Sequence, residues 1–386
     1  MTPALRTALV IGGLLALAPL VLPLVHLDVS IVSEVLLFAI AAMSVNLLLG
    51  YTGLPAFGNA AFFGLGSYGA ALSIKYAHVH FIEAVLVGTL AGLVGGLILG
   101  PFLLRRRGIY FGLLAIAFGQ VFYFVAYRFT NVTGGEDGMN FARPYVGFPS
   151  AHFSLNEMSF YYVALAIYLG IVALFSVVAV SPFGRTLVAI RQNEVRVRYL
   201  GINTDRFIFV ALLISSTIAG LGGAMFALLI NFAYPLTLDW HQSGDFVLIM
   251  ILGGAGMIWG PLVGATIFVI GKDIISTITP LWQIFLGALF IACVLGFPKG
   301  VTRPARARPE LRIRNARSAR TSFARNDVDV RGLTRSEKHR QAFRRCRRRR
   351  RRLGKRPRTF DPCRHRAKRR RKDDIFQYAL GLLFSR

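Results

Sequence analysis

The sequence predicts an all-α fold, a polytopic transmembrane helical bundle of about 8–10 spans, broken or re-entrant segments included. Three observations predict it. Hydrophobic residues make up 54% of the 386 residues and charged residues only 16%, with a mean hydropathy of +0.54; a soluble chain carries about 25% charged residues. Apolar runs follow one another at 7–26, 30–50, 58–75, 81–104, 109–127, 160–180, 207–231, 244–271 and 281–297, each near the ~20 residues that cross a bilayer. None alternates as a strand would, and a continuous run in lipid must satisfy its backbone internally, as a helix does. Arginines gather in two connections between runs, at 105–107 and 181–206.

The first run follows Arg6. It is too long for a signal-peptide core and more spans follow, so it reads as a retained span. The second run ends in Gly50, Gly53, Pro55 and Gly58, which interrupt the chain before the third. Runs four and five flank Arg105, Arg106 and Arg107. Runs five and six flank 128–159, where charge is mixed. Run seven follows Arg185, Arg191, Arg196, Arg198 and Arg206. Two crossings separate the basic connections, so both lie on one side, and the excess of arginine makes that side cytoplasmic. Residues 128–159 are then external and the N-terminus cytoplasmic. Nine simple crossings would leave the C-terminal basic residues outside. The run 244–271 resolves the conflict, because Gly253, Gly254, Gly256, Gly260 and Pro261 break it into two short helices or a re-entrant segment. Interrupted spans in both halves point to a transporter-like body. Close helix packing through small residues is the other reading of the same glycines.

Residues 181–206 read SPFGRTLVAIRQNEVRVRYLGINTDR. Pro182 opens a helix. Leu187, Ile190, Val197 and Leu200 fall on one stripe, and Arg191, Gln192, Asn193, Glu194 and Arg198 are polar. Gly201 is placed to end the helix in a left-handed cap, and Asn203 and Thr204 to cap the next. Such a helix lies on an anionic lipid surface or docks into a groove of a soluble partner.

Four stretches resemble the branched-chain amino acid permease family of ABC importers, in its LivM-like branch. They are NLLLGYTGLPAFGNAAFFGLGSYGAA at 46–71, GIYFGLLAIAFGQVF at 108–122 leading to TGGEDG at 133–138, SPFGRTLVAIRQNEVRVRYLGIN at 181–203, and SGDFVLIMILGGAGMIWGPLVGA at 243–265. They occur in family order across most of 30–298. The resemblance implies a second, related permease subunit, two cytoplasmic ATPase subunits and an extracytoplasmic solute-binding protein as partners. It makes Arg185, Leu187, Ile190, Arg191, Asn193, Glu194, Leu200 and Gly201 an ATPase-coupling helix. The helix breaks at Gly53, Pro55 and Gly58, and at Gly253, Gly254, Gly256, Gly260 and Pro261, become candidates for the translocation path. The resemblance implies branched-chain amino acids as cargo. A related branch handles urea or short amides. No Walker A sequence is present, and neither covalent chemistry nor a cofactor is expected.

The chain departs from the family pattern twice. After Gly53 the family has Gln/Leu-Ser-Leu-Gly-His, whereas this chain has Leu54, Pro55, Ala56, Phe57, Gly58 and Asn59. Family members end soon after a Phe-Pro-(Lys/Arg)-Gly stretch, here 297–300, and this chain continues. Residues 1–300 carry a net +3 and form the expected permease domain; residues 301–386 carry +24, with 27 arginines. That Arg-rich segment has no periodicity that would fold it. It reads as an anionic-lipid or nucleic-acid contact or as a frame-shifted extension, and the lack of interleaved aromatics argues against nucleic acid.

Single residues add less. Gln120 in an apolar run faces the bundle or an aqueous path, as a solute contact or a cross-link between helices. Gly134, Gly135, Glu136, Asp137 and Gly138 form an external loop that docks the binding protein or is a solvated turn. Asp245 is expected to cap the start of its span. Lys272 and Asp273 are expected at an interface, with Trp240, Trp259 and Trp282 as anchors. His78 and His80 lack zinc-site spacing, and Cys293, Cys346 and Cys363 are too few for a disulfide scaffold.

Overall fold

The computed structural model describes residues 28–142 and 156–279, with 283–285, 287, 288 and 291 besides. All belong to the first of the two units into which the chain divides, Met1–Ala307 and Arg308–Arg386. The expectations for 7–26, most of 281–297, Trp282, the cysteines and the Arg-rich segment lie outside the described residues.

The described fold is an all-α bundle. Its helices are α1 Val29–Val45, α2 Asn59–Ala77, α3 Phe81–Leu103, α4 Ile109–Arg128, α5 Glu157–Val180, α6 Pro182–Tyr199, α7 Thr204–Ile230, α8 Trp240–Gly253 and α9 Gly260–Ile278. Wider π-helical turns continue α1 through Asn46–Thr52. Six segments among the described residues are long and apolar enough to cross a membrane: Val29–Thr52, Phe81–Leu103, Ile109–Arg128, Glu157–Val180, Thr204–Ile230 and Gly260–Thr277. Two-residue strands, β1 Met139–Asn140 and β2 Phe232–Ala233, pair antiparallel beyond the ends of α4 and α7.

The core is built where α1, α2, α7, α8 and α9 meet. Phe38 packs edge-on against Phe226 and Phe246, each 5.7 Å away, and stacks on Phe268 at 6.5 Å. Phe63 completes the cluster, 5.0 Å from Phe246. The outward faces of α3, α4 and α5 carry exposed Leu90, Leu97, Leu113, Val121, Phe124, Leu174 and Val177. These are lipid-length helices with apolar residues all round, as membrane spans are.

Lipid tails are as apolar as leucine, so close van der Waals approach has to hold such helices together. One such contact runs along a single face of α3. Gly88, Gly92, Gly96 and Gly100 recur every four residues and lie against α7. A Cβ on Gly92 would lie 2.7 Å from the Gly220 Cα; one on Gly96 would lie 2.1 Å from the Ser216 Oγ. The partner numbers fall as the α3 numbers rise, so α3 and α7 are antiparallel.

The expected break in 244–271 is present as two helices. Gly253 abuts Gly260, and Gly264 abuts the Ile249 carbonyl. This register makes α8 and α9 an antiparallel hairpin turned by residues 254–259, where Gly254 (φ 109°) and Gly256 (φ 81°) take conformations that suit glycine. The start of α8 corrects one expectation. Its cap is Asp239, whose carboxylate accepts from Trp240 N–H at 2.7 Å. Asp245 lies inside the helix and caps nothing. The helix begins earlier than the apolar run because Trp240, His241 and Gln242 form its polar first turn.

Candidate functional site

The basic helix α6 starts at Ser181, whose Oγ accepts from Gly184 N–H at 3.2 Å, with Pro182 in the first turn. Leu187, Ile190 and Val197 are buried in the bundle. Leu200 does not join their stripe: it is 72% exposed, next to Tyr199 at 87%. The reason is local: Leu200 follows the last helical residue, Tyr199, as the C-cap, with Gly201 left-handed beyond it. The helix also has a kink. Asn193 is extended (φ −163°, ψ 97°) and divides α6 into two segments. Its Oδ1 accepts from Arg196 N–H at 3.0 Å and so caps the second segment. The apolar stripe therefore packs on this chain's own helices, and the exposed apolar residues after the kink are Val195, Tyr199 and Leu200. Gly201 takes φ 83° as expected, and Asn203 Oδ1 accepts from Arg206 N–H at 3.4 Å to cap α7. Arg185 lies in the first segment, one residue after Gly184.

The second segment is tied to the other basic connection. Glu194 Oε1 accepts from Arg107 Nε at 3.1 Å, from Arg198 Nη2 at 3.0 Å and from Thr204 Oγ1 at 3.1 Å. Asp205 pairs with Arg107 and, at 3.0 Å, with Arg198. Both basic connections are thus on the same end of the bundle. Pairs this exposed contribute about 0–1 kcal/mol each, so their work is to fix position.

Beneath the first segment the two helix breaks meet. Asn46, fully buried, donates from Nδ2 to the Met257 carbonyl at 2.9 Å and accepts at Oδ1 from Gly256 N–H at 2.8 Å. A Cβ on Gly50 would lie 2.8 Å from the Gly256 nitrogen. Arg191 donates from Nη1 to the Gly50 carbonyl. Gly53 (φ 76°) ends the π-helical turns, and a Cβ there would lie 2.9 Å from Arg191 Cγ. The structure therefore brings together Gly53, Gly256 and Arg191, three of the residues singled out from sequence, with Asn46 as the bridge. Asn46 was missed, although its signal was present as a polar amide inside an apolar run.

Pro55 carries the break on toward Gly58, which lies tight against the Ala115 backbone of α4. Asn59 follows and is buried; its Nδ2 donates to Ser44 Oγ at 2.8 Å and Ser215 Oγ at 3.1 Å, linking α1, α2 and α7. Gln120 Nε2 donates to Asp239 Oδ1 at 2.8 Å, a cross-link from α4 to the cap of α8. Burial pushes the Asp239 carboxyl up, but hydrogen bonds from His241, Gln120 and Trp240 N–H outweigh it and hold the group below its ordinary range. Pro261 sits in the first turn of α9.

The opposite end of the bundle carries the Gly134–Gly138 loop. Gly134, Gly135 and Gly138 all have positive φ, and Glu136 accepts from the Tyr127 hydroxyl at 2.8 Å. Asp137 closes the same turn. The loop leads into β1, which β2 holds against the end of α7. Lys272 lies 3.9 Å from Glu34, joining α9 to α1. Among the described residues no three His, Cys, Asp or Glu gather as a metal site.

A bundle of membrane-length helices, interrupted twice at one level and gripped there by a polar helix at one end, defines a multi-pass membrane permease. Residues 29–294 match the family described as "Branched-chain amino acid transport system / permease component", and the chain belongs to that family. It is the membrane permease component of an ABC-type transporter, a transport subunit, and membership implies ATPase and solute-binding partners. The chain is similar to the high-affinity branched-chain amino acid transport system permease protein LivM of Escherichia coli (strain K12), 24% identical over 74% of this chain and 72% of that one. It is similar to a probable branched-chain amino acid transport permease protein LivM of Methanocaldococcus jannaschii, 23% identical over 65% of this chain and 83% of the relative. The autoinducer 2 import system permease protein LsrC of Photorhabdus laumondii subsp. laumondii is 30% identical over 41% of this chain and 47% of its own. No solved structure matches.

Proposed function

We propose that this chain is a LivM-like subunit that passes branched-chain amino acids into the cell. The observation that carries the reading is the docking of α6 on the paired helix breaks, through Arg191 and Gly50. A helix that a cytoplasmic ATPase can move is there bonded to the first of two places where spans are free to bend, and through Asn46 to the second. The names of the LivM relatives support the cargo. In this reading two ATPase subunits act on α6 through residues 185–201, a second related permease completes the membrane part, and an extracytoplasmic solute-binding protein delivers cargo at Gly134–Gly138. Gly53, Pro55, Gly58, Asn59, Gln120 and Gly253–Pro261 border the path. The chain lies in the bacterial inner membrane with its N-terminus, α6 and the Arg107 connection cytoplasmic. Residues 301–386 add nothing to transport.

The test is uptake of radiolabelled leucine, with urea in parallel. The cells lack this gene and carry either the full chain or one ending at Gly300, together with its partners. ATP-dependent leucine uptake by both is expected. Urea uptake alone would change the cargo and keep the machine. Uptake by the full chain only would give the Arg-rich segment a role.

A further inference from the structure

One guanidinium stands where α6 and the two helix breaks meet. The Gly50 carbonyl that Arg191 binds lies near the end of the π-helical turns, where carbonyls outrun the donors of their own helix. A charged donor makes a bond there about twice as strong as a neutral one. Arg191 also covers Gly53, whose missing side chain leaves room for its stem. A Cβ on Gly256 would lie 3.6 Å from Arg191 Nη1. Asn46 then joins the first break to Gly256 and Met257 of the second. A shift of Arg191 is therefore felt by both breaks.

The division of α6 at Asn193 suits that role. The first segment is anchored in the bundle by Leu187 and Ile190 and carries Arg191. The second exposes Val195, Tyr199 and Leu200 and is held by Arg107 and Asp205. A partner bound to the second segment acts across a kink only two residues from Arg191.

We propose that Arg191 is a positioning residue that holds both helix breaks closed and releases them together when α6 moves. The inference rests on the permease reading, and its test includes a readout that needs neither cargo nor ATPase. In the full chain, Cys293, Cys346 and Cys363 are replaced by serine and Ala255→Cys is introduced in the second break. Inside-out vesicles are then labelled with a membrane-impermeant maleimide, with Arg191 intact or as R191A or R191K. R191A is expected to raise the labelling rate at position 255 about tenfold, and R191K, which keeps a charged donor, by much less. In the assembled transporter R191A is expected to lower the solute moved per ATP about tenfold while assembly and ATP hydrolysis persist, with R191K restoring much of it. Labelling that R191A leaves unchanged overturns the proposal whatever uptake does. Loss of the chain from the membrane in R191A and R191K alike also overturns it, since that outcome marks a general folding role. If labelling responds while the unaltered transporter moves neither leucine nor urea, Arg191 keeps its role and the cargo reading falls.

Discussion

Asn46 uses both ends of its amide across the bundle, accepting from Gly256 and donating to Met257. Interhelical hydrogen bonds in membranes contribute about 0.6 kcal/mol, with a maximum near 1.7. Asn46→Leu removes two at once, so a loss of about 1–3 kcal/mol is expected, read as a lower unfolding midpoint in detergent. A midpoint equal to wild type would mean the breaks are held by packing alone. Asp239 allows a statement about pH. Its folded carboxyl sits below the ordinary range, so what it contributes is present above its unfolded value, about pH 4, and fades as pH falls through the lower folded value. The Gln120 staple should therefore be intact at neutral pH. Asp239→Asn should flatten the stability profile only on the acid side, measured by unfolding between about pH 3 and pH 7. Gln120 was legible as a bundle-facing amide, and its pairing with the cap of α8 was not, because that partner lies 119 residues away.

Among the elements, α3 and α7 make the sharpest forecast. Gly92 leaves no room for a side chain against Gly220, whereas Gly170 on α5 has nothing within 4 Å. Gly92→Leu should separate α3 from α7 and leave little folded protein in the membrane; Gly170→Leu, facing outward, should be recovered at wild-type levels. Size-exclusion recovery of the two variants checks this, and equal recovery would sink the packing argument. The spans α1, α3, α4, α5 and α7 could be read from sequence because a lipid-length apolar run has a single solution for its backbone. The turn between α8 and α9 was also readable, because clustered glycines with a proline do not continue a helix. The kink in α6 was not. Asn193 leaves the helix to cap the segment after it, a choice between two local hydrogen bonds that propensity does not decide. The start of α8 was misplaced for a related reason: Asp239 precedes a polar first turn that hydropathy does not register.

At the scale of the whole molecule, the ties from Arg107 to Glu194 and Asp205 put two basic connections on one end, and the β1–β2 pair closes the other. A cysteine at Val195 and one at Asn131 should therefore label from opposite sides of the membrane, the first from the cytoplasm. Labelling of both from one side would refute the topology. That the two basic connections share one end was legible, because two crossings separate them. What bound the ends together was not, since those contacts join residues 87 to 98 positions apart and leave no local pattern. The Asn46 bridge spans still more chain, 210 residues, and this bears on the order of events during synthesis. At about 5–20 residues per second, Asn46 is made roughly 10–40 s before Gly256 emerges. For that interval α1, the most deeply buried of the described membrane-length helices, lacks the hairpin it will pack against. The first break is thus written early and completed late, and the native centre of this protein closes only when α8 and α9 arrive.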